Sequence, residues 1–250
     1  DEGIEQARWL FGSTLNIAES CFQADDAAIA LVYQEEYGQM HSLTYGQLYR
    51  YCQRFANTLQ ELGIKAGDAI AIDMPMTREA LIAYLGAVLY GAVVVSVADS
   101  FAAQEIRVRL EIADVKLVFT QDVIDRAGKL LPLYSKVKEA GDFPCVVVQT
   151  QSQCLLQDGD ILWTLSANDS FTAFISSPQD TMTILFSSGT TGSPKAIPWD
   201  HTTAIKSAAD AYYHHDIHAG DVICWPTNLG WMMGPWLVFA SLINQGTIAL

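Results

Sequence analysis

Apolar residues along this chain follow two recurring patterns, stripes at helical spacing and short continuous runs, and the two alternate. Thr44-Tyr45-Gly46-Gln47 has the spacing of a capping box, where a threonine and a glutamine side chain satisfy backbone N–H groups at a helix start. Leu48, Tyr51, Phe55, Leu59 and Leu62 then share one helical stripe, and Gly63 stops it. The run Ala69-Ile70-Ala71-Ile72 reads as a strand. Thr77 is placed as the N-cap of a second helix over 77–90, Gly91 as its stop, and the β-branched Val93-Val94-Val95 as the next strand. A helix over 101–113 and a strand over 116–119 continue the punctuation.

The stretch 121–174 is less regular, with short helical signals over 130–140, a strand over 145–149 and polar loop residues over 149–160. A lobe boundary is expected there, dividing the chain into a first α/β lobe, 1–160, and the start of a second, 161–250. Alternation then resumes with a strand over 182–186, a helix over 200–214, a strand over 221–225, a helix over 231–244 and a strand over 247–250. Alternating strands and helices favour right-handed crossovers, so the fold class is α/β, with largely parallel sheets and helices on both faces. Residues 80–98 carry no charge over 19 residues, the length of a membrane span. Gly91 divides them, and a helix, a glycine stop and a strand covered on both faces explain the missing charge without lipid. The strand at 247–250 enters the core with nothing after it, so the chain is expected to be an N-terminal excerpt of a longer protein.

A chain of 250 residues with 50% hydrophobic content can bury a sizeable core. Its 28 acidic and 14 basic residues give a formal net charge of −14, which repels nucleic-acid backbones and anionic lipid surfaces. The five scattered cysteines lack Cys-x-x-Cys spacing and fit a reducing compartment, cytoplasmic or, in a eukaryote, peroxisomal. An anionic ligand would need a local exception to this acidic field.

Ser187-Ser188-Gly189-Thr190-Thr191-Gly192-Ser193-Pro194-Lys195 offers one, directly after the apolar run Thr181-Met182-Thr183-Ile184-Leu185-Phe186. Glycines let backbone N–H groups turn toward an anion, hydroxyls beside them donate, and the terminal ammonium adds positive charge. By composition alone such a stretch is also a flexible linker. The strand before it, Pro194-Lys195 at its end and the helical segment 200–214 after it favour a polyphosphate seat. It is not a Walker A loop, because Gly189 and Gly192 are too close and Ser193-Pro194 separates Gly192 from Lys195.

This loop resembles the phosphate loop of the adenylate-forming superfamily, which includes acyl-CoA synthetases, luciferase-like enzymes and peptide-synthetase adenylation domains. The resemblance covers nearly the whole chain. Trp9 with Leu15-Asn16-Ile17-Ala18-Glu19 is similar to the entry segment of acetyl-CoA-synthetase-like enzymes, and the course from Leu43-Thr44-Tyr45 through Gly67-Asp68 and Gly86-Ala87-Val88 to Phe101 looks like theirs. Trp225-Pro226-Thr227-Asn228-Leu229-Gly230-Trp231-Met232-Met233-Gly234 is similar to the acyl-pocket region of the acetyl- and acetoacetyl-CoA synthetase branch. With Lys195-Ala196-Ile197-Pro198-Trp199 it looks most like plant-type acyl-activating enzymes. Ala196 departs from the glycine usual after the loop lysine.

The resemblance implies the first part of the large N-terminal domain of an AMP-forming acyl-CoA synthetase. Its substrates would be a small-molecule carboxylate, expected to be a short-chain acid, with ATP and CoA, and Mg²⁺ as cofactor. Ser187, Ser188, Gly189, Thr190, Thr191, Gly192, Ser193 and Lys195 would bind ATP phosphates, with Thr190, Thr191 and Lys195 as catalytic groups; Trp231, Met232, Met233 and Gly234 would line the acyl pocket. The family's acidic magnesium ligand, adenine segment, ribose aspartate and catalytic lysine would lie beyond Leu250, so the isolated chain is expected to be inert. Two alternatives stay open: an adenylating ligase that loads a carrier protein or amino acid, and a non-catalytic nucleotide-binding module. The acid, the oligomeric state and the organelle are not set by these residues.

Other candidates are weaker. Trp231, Met232 and Met233 are also read as plain core from their pattern. His214, His215 and His218, with Asp210 and Asp216, resemble a metal cluster, but adjacent helical residues point about 100° apart and no metal site is assigned. His201 is a candidate base near the loop. No Ser/His/Asp or Cys/His constellation is identifiable.

Overall fold

The computed structural model describes residues 9–150, 154–187, 192 and 194–250. After a one-turn helix, α1 (Ile17–Ser20), come β1 (Ile29–Gln34) and β2 (Met40–Thr44). Helix α2 (Tyr45–Glu61) starts at the expected capping box: the Thr44 hydroxyl accepts from Gln47 N–H at 3.2 Å, and the Gln47 side chain accepts from Thr44 N–H at 2.9 Å. β3 (Ala69–Asp73), α3 (Arg78–Tyr90), β4 (Val93–Val97), α4 (Ala103–Ile112) and β5 (Leu117–Gln121) follow. Thr77 caps α3 and Gly91 closes it with φ of +89°. The uncharged 80–98 stretch is therefore most of α3, a glycine stop and β4, and no described helix is long and apolar enough to cross a membrane.

The irregular middle holds β6 (Val123–Arg126), β7 (Lys129–Pro132), α5 (Tyr134–Ala140), β8 (Cys145–Val148) and β9 (Ile161–Leu162). The helical reading of 130–140 needs correction. Leu130 and Leu131 pair with Asp125 and Ile124 in an antiparallel hairpin, and the helix begins only after Pro132, which has no N–H to donate. The last third contains β10 (Thr181–Ser187), β11 (Lys195–Asp200), α6 (His201–His214), β12 (Val222–Cys224), α7 (Met233–Leu242) and β13 (Thr247–Ala249).

Seven strands form one sheet in the order β11-β10-β4-β3-β5-β8-β9, parallel except where β11 runs against β10. Strands from both sides of residue 160 share it. A second sheet, β12-β13-β1-β2, sets β13 parallel to both neighbours and β2 antiparallel to β1. Successive strand residues face opposite ways, so the large sheet has two cores. Ile70, Ile72, Val94 and Phe119 meet Phe55, Leu59, Leu81 and Leu85 of α2 and α3. On the other face Ala71, Val95, Val97 and Val118 meet Ile106 and Leu110 of α4 and Val137 and Ala140 of α5. Both faces are covered by helices, which is why these strands are continuous apolar runs.

Candidate functional site

Because β3, β4, β5, β8 and β10 are parallel, their carboxyl ends share one edge of the sheet, where open α/β folds bind ligands. Ser187 ends β10 there and pairs in register with Lys195, the first residue of β11. The glycine-rich loop thus connects an antiparallel hairpin, and β11 stands between it and α6. The sequence reading lacked this strand because β11 is a largely exposed sheet edge, contains Pro198 and shows no alternation. Gly192 is exposed at φ of +117°, a backbone setting that favours glycine. Lys195 is exposed and makes no ion pair among the described residues. Ser188, Gly189, Thr190, Thr191 and Ser193 lie outside the described residues.

The 228–234 segment packs onto the same edge. Buried Asn228 donates from Nδ2 to the carbonyl of Met74, just past β3, at 2.8 Å, and its Oδ1 accepts from Gly230 N–H at 2.8 Å. Gly230 lies against the chain leaving β4, so closely that a Cβ there would stand 2.2 Å from the Ala98 nitrogen. Only glycine permits that approach. The segment therefore rests on the ends of β3 and β4, and β4 is the sheet neighbour of β10. Trp231 and Met232 are 46% and 60% exposed, so the plain-core reading fails for them; Met233 is half-buried and Gly234 buried at the start of α7.

A chain of rings links this segment to the hairpin. Trp231 meets Phe101 edge-on, with centroids 5.5 Å apart. The Arg109 guanidinium lies 3.9 Å from the Phe101 centroid and 5.6 Å from that of Phe186, the residue before Ser187. Arg109 is buried, donates from Nη1 to the Glu105 carbonyl at 2.7 Å and leaves Nε without a partner among the described residues. Burial pulls its pKa down, with Glu105 opposing. Sequence reasoning missed Arg109, although an arginine three residues after Ile106 and next to Leu110, on the buried stripe of α4, was a readable signal.

Asp73, at the end of β3, was also missed. It is fully buried, and among the described residues neither carboxyl oxygen has a hydrogen-bond partner, nor does the hydroxyl of its register neighbour Thr120. Its carboxyl is pushed up to about 8 by burial first, with Lys136 pulling back and Asp99 adding to the rise. His201, by contrast, is a packing residue: buried at the start of α6, its Nδ1 accepts from Ile17 N–H at 3.2 Å, and burial lowers its pKa. His218 pairs with Asp216 at 2.8 Å and His214 lies 3.9 Å from Asp210. Among the described residues no three His, Cys, Asp or Glu side chains gather as metal ligands. All five cysteines are free, and burial raises the Cys145 thiol to about 12, away from nucleophilic use.

Residues 18–250 match the family model described as AMP-binding enzyme, and the chain belongs to that family. It is 46% identical to the hexanoyl-CoA synthase of Cannabis sativa over 98% of this chain and 36% of the relative. It is 44% identical to the protein described as "Probable acyl-activating enzyme 17, peroxisomal" of Arabidopsis thaliana, over 97% of this chain and 36% of the relative. For the acetyl-coenzyme A synthetase of Escherichia coli (strain K12) the values are 33%, 98% and 40%. Among solved structures, the acetoacetyl-CoA synthetase of Streptomyces lividans superposes with a TM-score of 0.91 at 29% identity, covering 98% of this chain and 39% of that one. The chain thus spans between a third and two fifths of the length of these relatives, and the expected acyl-CoA synthetase fold is what it has.

Proposed function

We propose that the protein containing this chain is an AMP-forming acid–thiol ligase: a carboxylate oxygen attacks the α-phosphorus of ATP and expels pyrophosphate, and the thiol of CoA then takes the acyl group and releases AMP. The carrying observation is that the 228–234 segment rests on the ends of β3 and β4, one strand away from the Ser187–Lys195 pair at the root of the glycine-rich loop. An acid held by one and a triphosphate held by the other would meet at one sheet edge. Carboxylate and triphosphate repel, so the loop's task is to neutralise charge and hold the leaving pyrophosphate. Ser187, Ser188, Thr190, Thr191 and Ser193 donate to phosphate oxygens, Gly189 and Gly192 allow close backbone approach, and Lys195 adds charge. Mg²⁺ would accompany the phosphates, drawing its protein ligands from outside these residues.

Trp231, Met232, Met233 and Gly234 form the acid-facing wall, and bulky side chains there favour a short acid. The relatives' names, a hexanoyl-CoA synthase and an acetyl-coenzyme A synthetase, support CoA as acceptor and a short acid as donor. Residence in cytoplasm or peroxisome fits the free thiols and the plant relatives. The 250 residues alone do not form acyl-adenylate. The test is carboxylate-dependent pyrophosphate exchange by the full-length protein, with and without Thr190→Val combined with Thr191→Val. The double variant should lose at least about tenfold; undiminished exchange would refute the loop assignment, and acceptance of a carrier protein instead of CoA would move the enzyme to another class.

A further inference from the structure

Arg109 is a buried cation that forms no ion pair with a carboxylate among the described residues. Two glutamates stand within its own helix, yet Glu105 spends its side chain on the Ala102 N–H at 3.0 Å and Glu111 pairs with Arg107 at 2.8 Å. Two aromatic faces surround the guanidinium instead. Phe101, at 3.9 Å, belongs to the bend entering α4 and carries Trp231 on its edge; Phe186, at 5.6 Å, is the penultimate residue of β10, just before the glycine-rich loop. Both distances lie within cation–π range. An apolar residue would fill this position with less desolvation, because a buried charge without an ionic partner is expensive. A planar group that can hold two rings at once supplies a fixed spacing between them.

We infer that Arg109 is a positioning residue that sets the acid-facing wall at Trp231, through Phe101, against the root of the phosphate loop at Phe186. The inference rests on the function proposed above. Arg109 touches neither substrate; its effect is on where the wall stands, and so on which acids fit. Loss of the guanidinium frees Phe101 to rotate, Trp231 loses its edge contact, and the wall ceases to discriminate by length.

The experiment measures pyrophosphate exchange by the full-length protein with acids from acetate to octanoate, for wild type, Arg109→Met, Arg109→Lys, Phe101→Leu, Trp231→Gly and the Arg109→Met/Trp231→Gly pair. Arg109→Met should raise KM for the preferred acid about tenfold, as expected when a positioning contact moves a wall by about 1 Å, while KM for ATP changes less than about twofold. Its chain-length preference should broaden, Arg109→Lys should recover part of it because an ammonium also binds an aromatic face, and the pair should broaden no further than Trp231→Gly alone. If Arg109→Met does not fold, Phe101→Leu carries the same expectation from a half-buried position. A wild-type length profile in the folded Arg109→Met or Phe101→Leu protein overturns the inference and leaves the proposed function standing. Full additivity with Trp231→Gly overturns it as well. A wild-type protein that exchanges pyrophosphate with no carboxylate overturns the proposed function itself.

Discussion

On the α2/α3 face of the large sheet, the buried amides Asn16 and Asn57 end on backbone carbonyls, whereas on the α4/α5 face Asp73, Thr120 and the Arg109 Nε are buried without a hydrogen-bond partner among the described residues. Asn16 illustrates the first: its Nδ2 donates to the carbonyls of Val88 at 2.8 Å and Phe174 at 2.9 Å, tying the end of α3 to a distant loop. Asn57 does the same for Asn168 and Ser170, at 2.9 and 3.1 Å. That face leaves neutral hydroxyls such as Ser96 unmatched, but no unpartnered carboxylate. The α4/α5 face keeps a carboxyl and a guanidinium in apolar surroundings, both near the sheet edge where the candidate site lies. Unmatched buried ionisable groups cost stability, so the two faces should respond differently to substitution and to pH.

Truncation should separate the faces most sharply. Phe55, fully buried against Phe119 and Trp163 with centroids 4.8 and 5.2 Å away, should cost about 3–5 kcal/mol as Phe55→Ala, read from the urea midpoint of the chain. A loss below about 1 kcal/mol would mean that the α2/α3 face is loosely packed and the contrast is false. The next test has the opposite sign. Asp73→Asn should stabilise the chain by about 1–3 kcal/mol at alkaline pH, since it removes a buried ionisable carboxyl. An acid whose folded pKa of about 8 exceeds its unfolded value near 3.9 contributes most stability below that lower value and loses it as pH rises through the window. The gain from Asp73→Asn should therefore shrink as pH falls toward about 4. A gain independent of pH would show that Asp73 is not the titrating group.

His201, buried at the start of α6, gives a smaller, opposite dependence. Its depressed folded pKa means that the unfolded chain takes up the proton first, so its contribution is present above about pH 6.5 and lost as pH falls below it. His201→Gln should flatten that acid limb, a change of about 1 kcal/mol. An unaltered limb would assign acid sensitivity elsewhere. Smallest of all, Arg107→Ala, which breaks an exposed pair with Glu111, should shift stability by less than about 0.5 kcal/mol.

Local signals predicted α2, α3, β3 and β4 well because each is specified by neighbours in sequence: a capping box at Thr44, a cap at Thr77, a left-handed glycine at Gly91 and a β-branched run after it. β1, β2 and β11 were not legible. β1 owes its place to β13, more than 200 residues away, where Leu31 lies beside Ile248, and β11 is an exposed edge with a proline in it. The candidate site divides in the same way. The loop could be nominated from sequence because an anion seat would need glycines, hydroxyls and a cation close together along the chain. Asp73 could not, since it looks like an ordinary charge until the fold shows what surrounds it; the place of Arg109 on the buried stripe of α4 was readable, but its aromatic partners were not.

The sequence by itself determined the net acidic charge and most of the alternation of helices and strands, the latter because it depends on residues within about one helical turn or one strand of each other. Only the tertiary structure decided that the glycine-rich loop joins an antiparallel hairpin, that Gly230 brings Trp231 onto the end of β4, and that Arg109 stands between Phe101 and Phe186. The physical reason is range. Caps, turns and periodicity act locally, whereas sheet order, close backbone approach and the partners of a buried charge are set by segments that meet only when the chain folds.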